Sequence, residues 1–457
     1  MVALLLEVEC FHLSVKRGKI HNNRTAGLAL CDHAASPLMI FLWRRRYVVY
    51  CRDRPRTRDL PEGHVRQLVP ATRGYQSTNL MRNREEVDVH LRIPGPTPCP
   101  DYVLEAMGRE MINHRGPEFQ DINQRVTDSL KKVFVTEGDI FILTGSGTGG
   151  MEAAIVNALS PGDVVLSVSI GVFGDRFAQI AEAYGASVIR LNSIWGTAAD
   201  PEEIRNALKE NPAIKAVLVT HNETSTGVTN DMAAISKVVR ETDKLLIVDA
   251  VSSLSSLPFY TDQWGCDIVI SGSQKGWMVP PGLAFVSVSS RAWNAFKEAK
   301  MPRFYWDFGK ARSYYERKQT PWTPAISIYY ALDVALQQML AEGMDNIYQR
   351  QARIAQQTRD GIKGLGLSLF ADESHASNTV TSVTVLEGIE AKAILEQMQN
   401  DHQVVLAGGQ GKLDGKILRI GHMGYVTDAD ITVVIDALGS VLPKVGFQPT
   451  GSLARGS

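Results

Sequence analysis

"DIVISGSQKGW", residues 267–277, runs from an apolar stretch through small polar residues to one lysine, Lys275, set beside a glycine and a tryptophan. The apolar half reads as a buried strand, and the turn after it delivers the lysine just past the strand's carboxyl end. A lysine is ordinarily a solvated surface charge, so the surrounding chain decides whether this one is different. Similar short apolar runs recur on both sides: "DIFILT" (139–144), "DVVLSVS" (163–169), "SVIRLN" (187–192), "AVLVTH" (216–221), "LLIVDA" (245–250) and "LAFVSVS" (283–289). Between them helical patterns are predicted over 150–159, 174–185, 201–209 and 231–242, preceded by helices over 100–112 and 117–134. Strand alternating with helix argues for an α/β fold whose mainly parallel sheet is covered on both faces. Ligands then belong at the carboxyl ends of the strands, where Lys275 lies.

After this region the pattern changes. One long helix is predicted over 325–359, then the strands "TSVTVL" (381–386) and "KILRIGH" (416–422) with helices over 390–400 and 427–441. The expected organisation is a large domain over 91–340, opened by the proline-punctuated arm 91–100 "LRIPGPTPCP", and a smaller α+β domain over 341–445. Each proline of the arm fixes its own backbone and disfavours helix in the residue before it. Residues 446–457 read as a flexible tail. Residues 1–80 stand apart, with thirteen Lys or Arg against six Asp or Glu and no clean period, and read as a basic N-terminal extension. Its Arg-rich, acid-poor composition also fits an organellar targeting segment, although it lacks a convincing amphipathic helix or cleavage signal.

With 457 residues, 44% hydrophobic and 21% charged, the chain reads as a globular protein with a large core. A net charge of -1 gives no support for nucleic acid or an anionic membrane as partner. The densest apolar patch, "PLMIFLW" at 37–43, is too short to span a bilayer. Cys10, Cys31, Cys51, Cys99 and Cys266 show no CxxC spacing, so neither a disulfide framework nor a zinc ribbon is indicated, and a reducing cytoplasm is expected. No metal-ligand spacing stands out, and no metal is assigned.

Three features fall at strand ends. "GSGTGG" after "DIFILT" could cradle a phosphate with Ser146, Gly147 and Thr148, because glycines admit an anion to backbone amides and a helix N-terminus adds partial positive charge. Asp249 closes "LLIVD", and Lys275 follows "DIVISG". If all three ends face one crevice, they offer an anion cradle, a carboxylate and an amine, which are the partners that the phosphate, ring nitrogen and aldehyde of pyridoxal phosphate require. A lysine with its ordinary pKa of about 10.4 is a poor nucleophile at neutral pH; partial burial and nearby positive charge lower it and activate it. Gly276 is expected to leave room for the cofactor.

The ordered stretches "TGSGTGGMEAAIVN", "VTHNETSTGV", "LLIVDAVSSL", "SGSQKGWMVPPG" and "KILRIGHMG" resemble the successive signatures of class V aminotransferases, nearest the alanine or serine to glyoxylate group. The resemblance covers about residues 91–445. It implies the pyridoxal phosphate-dependent fold type I, a homodimer with shared active sites, and transamination between small amino acids and 2-oxo acids, glyoxylate among them. It further implies a covalent bond from Lys275 to the cofactor, Gln274 near the phosphate, Asp249 on the ring nitrogen, Val251 under the ring, Phe173 on its face and Thr224 in contact with it. Arg419 would grip the substrate carboxylate, a two-pronged contact that lysine cannot reproduce. "QTPWTP" (319–324) resembles a stretch that reaches the partner's phosphate site, with Thr320 and Thr323 as candidates. His114, Arg115 and "PGPT" are expected at the mouth.

Rival readings remain at this level. Another class V enzyme, such as a ureidoglycine–glyoxylate aminotransferase, a lyase or a desulfurase, would share the motifs, although a desulfurase needs a mobile nucleophilic cysteine. Gly145, Gly147 and Gly150 satisfy G-x-G-x-x-G and suggest an NAD-dependent oxidoreductase, yet "SVIRLN" offers Arg190 and Asn192 where that motif wants an acid. A non-catalytic binding subunit is the third alternative.

Overall fold

The computed structural model describes residues 89–447, together with the backbone of four short strands that precede them. The chain divides into two compact units, Met1–Met81 and Arg82–Ser457. In the first, His12–Lys16 pairs antiparallel with Lys19–Asn23, and Met39–Trp43 with Arg46–Tyr50. The remainder of the predicted extension, and the tail from residue 448 onward, lie outside the described residues.

The second unit is built on a seven-stranded sheet. In chain order its strands are β1 (Asp139–Thr144), β2 (Val164–Ser169), β3 (Ser187–Asn192), β4 (Ile214–Thr220), β5 (Leu245–Asp249), β6 (Ile268–Gly272) and β7 (Leu283–Val288). Their order across the sheet is β1-β7-β6-β5-β4-β2-β3. Neighbours pair in parallel except at β7, which runs antiparallel to both β6 and β1. This is the mainly parallel sheet expected, with one reversal that no apolar run could announce.

Alternation along the strands sends side chains to two separate cores. Val217 and Val219 of β4 face α1 (Asp101–Met107), α2 (Pro117–Phe134), α5 (Pro201–Glu210), α6 (Met232–Arg240) and α9 (Ile326–Glu342). Ala216 and Leu218 face α3 (Gly147–Ala158), α4 (Val172–Ala183), α7 (Ser290–Glu298) and α8 (Phe308–Tyr315). Period-two side-chain direction in a sheet covered on both faces accounts for the near-continuous apolar runs. The edge strand β3 is partly exposed, and "SVIRLN" accordingly carries charge.

The single helix predicted over 325–359 is two, α9 and α10 (Met344–Gly364), broken at Gly343. Gly343 has φ +88°, ψ 134°, a conformation outside the helix that glycine adopts without steric penalty. Behind α10 lies a three-stranded antiparallel sheet, ordered β8 (Val380–Thr384), β10 (Ile417–Gly421), β9 (Ala407–Gly408). Helices α11 (Ala391–His402) and α12 (Asp428–Val441) cover it, through a cluster that includes Ile394, Met398, Val434, Leu438, Leu418 and Ile420. Thr427 and Asp430 form a reciprocal capping box at the start of α12.

The arm before α1 is tied down at both ends. The His90 and Arg92 amides donate to the carbonyls of Gln403 and Val405, and the Gly421 amide donates to the Arg92 carbonyl. Arg92 also forms a partly buried ion pair with Asp430. Farther along, the Thr97 amide donates to the Gln274 carbonyl (3.1 Å) and the Thr97 hydroxyl to the Lys275 carbonyl (2.9 Å).

Candidate active site

Four parallel strands point their carboxyl ends to the same end of the sheet: β1 ends at Thr144, β4 at Thr220, β5 at Asp249 and β6 at Gly272. Asp249 is 4% exposed. Its Oδ1 accepts the Val251 amide (2.9 Å), and Thr220 Oγ1 stands 3.5 Å from its Oδ2. Burial pushes its carboxyl up to about 6, against the pull of the Val251 amide, Lys275, Arg176 and Thr220. Lys275 follows β6 by three residues, and burial lowers its ammonium to about 8, with Asp249 opposing that shift and Arg419 and Arg176 reinforcing it. Each of the two groups thus feels the other, and the amine is brought toward neutrality as a nucleophile requires.

Lys275 Nζ donates to the carbonyl of Pro94, so the "PGPT" arm does cover the amine. Gly95 has φ +119°, and a Cβ there would lie 2.7 Å from Lys275 Nζ; glycine is required on both counts. Ser255 (φ 72°) and Met278 (φ 60°) hold left-handed backbone on the segments flanking the lysine, the kind of local strain that packing must maintain. Gly276 differs from its expected role. The space that a Cβ would need is taken by Ser256 Oγ at 2.0 Å and Ser255 Oγ at 2.6 Å, so this glycine admits those hydroxyls beside the lysine.

The glycine turn follows β1. Ser146 precedes α3 in extended conformation, no side chain caps that helix, and Gly147 and Thr148 open it. Its first-turn amides therefore remain available to an anion. Gln274 Oε1 is buried without a hydrogen-bond partner, and it lies on the side of Gly272 that also meets the Gly147 amide. Val251 closes against the turn: a Cβ on Gly147 would come within 2.6 Å of Val251 Cγ2. Uncapped helix amides, a buried carboxylate and a buried amine at one end of the sheet fit a phosphorylated aromatic aldehyde, toward whose phosphate the Gln274 side chain could donate through its amide NH2.

Arg419, on β10, is 5% exposed. Its Nε donates to the Gly408 carbonyl (2.7 Å), and one terminal nitrogen donates to the Thr224 carbonyl (3.2 Å) and to Gln410 Oε1 (3.4 Å). Those bonds fix the plane of the guanidinium and leave its second terminal nitrogen free for a carboxylate. Phe173 lies in the first turn of α4, with the Arg176 guanidinium 4.7 Å from its ring centre.

Two expectations need correction or limits. Arg115, expected at the mouth, donates to the carbonyls of Thr320 and Pro321 and to Gln319 Oε1, clamping the 319–321 segment. Thr320 is buried, its hydroxyl donating to the Trp322 carbonyl, and Thr323 is exposed; neither hydrogen-bonds to Lys275 or Asp249 of its own chain. Sequence reasoning also missed Glu223 and Arg176. Glu223 is fully buried beside Thr224, and Arg176 acts electrostatically on both Asp249 and Lys275. An acid inside the apolar-flanked "VTHNETSTGV" was the available signal for the first; for the second there was only its place three residues after Phe173.

The dinucleotide reading fails on topology. A Rossmann turn opens adjacent parallel strands, whereas β1 is an edge strand beside the antiparallel β7.

This geometry suits pyridoxal phosphate, and comparison with known proteins shows the family and the fold-type-I class. The family described as aminotransferase class-V matches residues 89–434. A protein of Synechococcus sp. named soluble hydrogenase, small subunit, is 45% identical over 374 residues, 80% of this chain and 97% of the relative. The serine–glyoxylate aminotransferase of Methylorubrum extorquens is 37% identical over 353 residues, 75% of this chain and 88% of the relative. The solved alanine–glyoxylate aminotransferase of Nostoc sp. superposes with TM-score 0.76 at 33% identity, covering 79% of this chain and 97% of that one. The chain belongs to the class V aminotransferases, pyridoxal phosphate-dependent transaminases.

Proposed function

We propose that the enzyme moves the amino group of alanine or serine to glyoxylate, forming glycine and a 2-oxo acid. The carrying observation is the convergence of Asp249, Lys275 and Arg419 on the crevice at the strand ends; the names of the Methylorubrum and Nostoc relatives support the choice of acceptor. Bound pyridoxal phosphate supplies an aldehyde that exchanges amines and a protonated ring that accepts the electron pair released at the substrate α-carbon. The chain's own residues do the rest. Lys275 would hold the cofactor through its amine and, when that amine is free, would accept at Nζ the proton released from the substrate α-carbon. Asp249 keeps the proton on the ring nitrogen. Ser146, Gly147, Thr148 and Gln274 would hold the phosphate; Val251 and Phe173 would enclose the ring, and Thr224 would contact it.

Arg419 takes the substrate carboxylate. Arg419→Lys keeps the charge but loses the planar guanidinium and its bonds to the Gly408 and Thr224 carbonyls, which aim the free terminal nitrogen. Donor KM is expected to rise about 10- to 100-fold, corresponding to about 1.5–3 kcal/mol for a hydrogen bond to a charged group, with a far smaller change in kcat. Steady-state kinetics with alanine and serine measure this; an unchanged KM for both removes Arg419 from the site. The function itself is tested by a panel of donors and acceptors. Conversion of the bound cofactor by alanine or serine, and its reversal by glyoxylate, is the expected result, and conversion by neither donor rejects this reading.

We further infer a homodimer in the cytoplasm, with Thr320 and Thr323 reaching the partner's phosphate site. Thr323 is exposed beside a stacked aromatic patch of Phe304, Tyr305 and Trp322, in which Phe304 is 68% exposed, and such a patch favours a protein contact. The separate apolar cluster behind α10 supports division into a cofactor-binding domain over 91–340 and a smaller domain over 341–445. Among the described residues no helix is long and apolar enough to cross a membrane. The hydrogenase name of the Synechococcus relative is not carried over, because the buried carboxylate and amine at the strand ends suit acid–base and carbonyl chemistry. A desulfurase is disfavoured because burial raises both described thiols, Cys99 to about 11 and Cys266 further.

A further inference from the structure

Helix α4 has no cap of its own. Gly171 precedes it and brings no side chain, yet the first three amides of the helix are all satisfied. Ser225 Oγ accepts from the Val172 amide (2.9 Å), and Glu223 Oε2 accepts from Phe173 (2.9 Å) and Gly174 (3.1 Å). The other carboxylate oxygen, Oε1, accepts the Ser225 amide (3.0 Å) and the Ser225 hydroxyl (2.6 Å). The cap is thus borrowed from a segment about 50 residues away in sequence. Gly171 makes the approach feasible, since a Cβ there would lie 2.5 Å from both Glu223 Cγ and Ser225 Oγ.

All four partners of the Glu223 side chain are donors, so its oxygens are arranged for the ionised form, which the helix N-terminus also favours. The net shift of this carboxyl is upward: burial, with the Asp249 carboxylate adding to it, outweighs the downward pull of the Ser225 hydroxyl and the Ser225 and Gly174 amides. Glu223 also acts favourably on the buried Arg419 guanidinium. Between the two capping residues lies Thr224, whose carbonyl receives the Arg419 terminal nitrogen at 3.2 Å. Three consecutive residues therefore hold the turn that carries Phe173 and the guanidinium of Arg419.

We propose that Glu223 is a positioning residue of the transaminase: its carboxylate fixes the start of α4, and through Thr224 and Ser225 keeps Phe173 and Arg419 at one spacing across the cofactor and substrate. This rests on the reading that Phe173 faces the cofactor and Arg419 the substrate carboxylate. Glu223→Gln preserves shape but sets an amide NH2 against at least one N–H or O–H donor, whichever way it turns, so one pair of bonds is lost.

The test compares wild-type and Glu223→Gln holoenzymes by steady-state kinetics and by visible circular dichroism of the bound pyridoxal phosphate, which reads how the ring is held. Donor KM is expected to rise about tenfold, as loss of a buried charged acceptor implies, with a smaller fall in kcat and a weakened dichroic band. A purely structural role would lower thermal stability and leave KM and the band alone. Variant values within twofold of wild type overturn the proposal while leaving the transaminase intact, whereas wild-type protein that binds no pyridoxal phosphate overturns both. If Glu223→Gln does not fold, Ser225→Ala removes only the Val172 cap and one donor to Oε1. It is expected to shift KM and the band in the same direction by a smaller factor, and no shift in either overturns the proposal.

Discussion

In Lys275→Ala, turnover is expected to fall by at least about 10³-fold while the fold persists. On the proposed reading the variant removes both the group that holds the cofactor and the proton carrier, and acid–base catalysis alone accounts for about 10²–10⁴. The fold persists because the amine is not part of either apolar core and makes one side-chain hydrogen bond, to the Pro94 carbonyl. A second readout separates chemistry from packing. In the cofactor-free chain, burial lowers this ammonium from 10.5 to about 8. Between those pH values the unfolded chain binds more protons than the folded one, so Lys275 makes stability rise with pH through that window. Below pH 8 wild type carries the full burden of a buried charge and the alanine variant carries none. The stability of the variant relative to cofactor-free wild type is therefore expected to decline as pH rises from about 8 to 10.5. Thermal melts across that range measure it. Retained turnover would defeat the mechanism, and a pH-independent difference would defeat the account of the buried amine.

Asp249→Asn is expected to lower the half-reaction rate with alanine about 10²–10³-fold, the scale of losing about 3–4 kcal/mol from a buried ion pair. The substitution keeps volume and leaves an oxygen to accept the Val251 amide (2.9 Å in wild type), so packing of β5 is preserved. What disappears is the negative charge that keeps a proton on the ring nitrogen. Rapid mixing of pyridoxal phosphate-loaded protein with alanine gives the rate. A rate within threefold of wild type would remove Asp249 from that role.

The apolar runs made each strand of the large sheet readable, because a strand buried on both faces has little choice of side chain. Their order was not readable. Nothing within "LAFVSVS" distinguishes an antiparallel β7 from its parallel neighbours, since reversal depends on the connection and not on the strand. The break at Gly343 was missed for a related reason: apolar periodicity resumes after it, and one residue of changed backbone hardly disturbs the pattern. In the site, Asp249 and Lys275 stood out as polar groups ending apolar strands. Glu223 did not, because the amides that explain it lie on α4, far off in sequence. Gly276 was misjudged because its spatial neighbours, Ser255 and Ser256, come from another turn of the chain.

The arm ahead of α1 joins two reactive groups that the chain separates by 144 positions. At one end its backbone pairs with Val405 and Gly421, bracketing the strand that carries Arg419; at the other, Pro94 and Thr97 hold the lysine turn. Proteolytic removal of this single ribbon would loosen amine and guanidinium together, although it severs neither from the body of the enzyme.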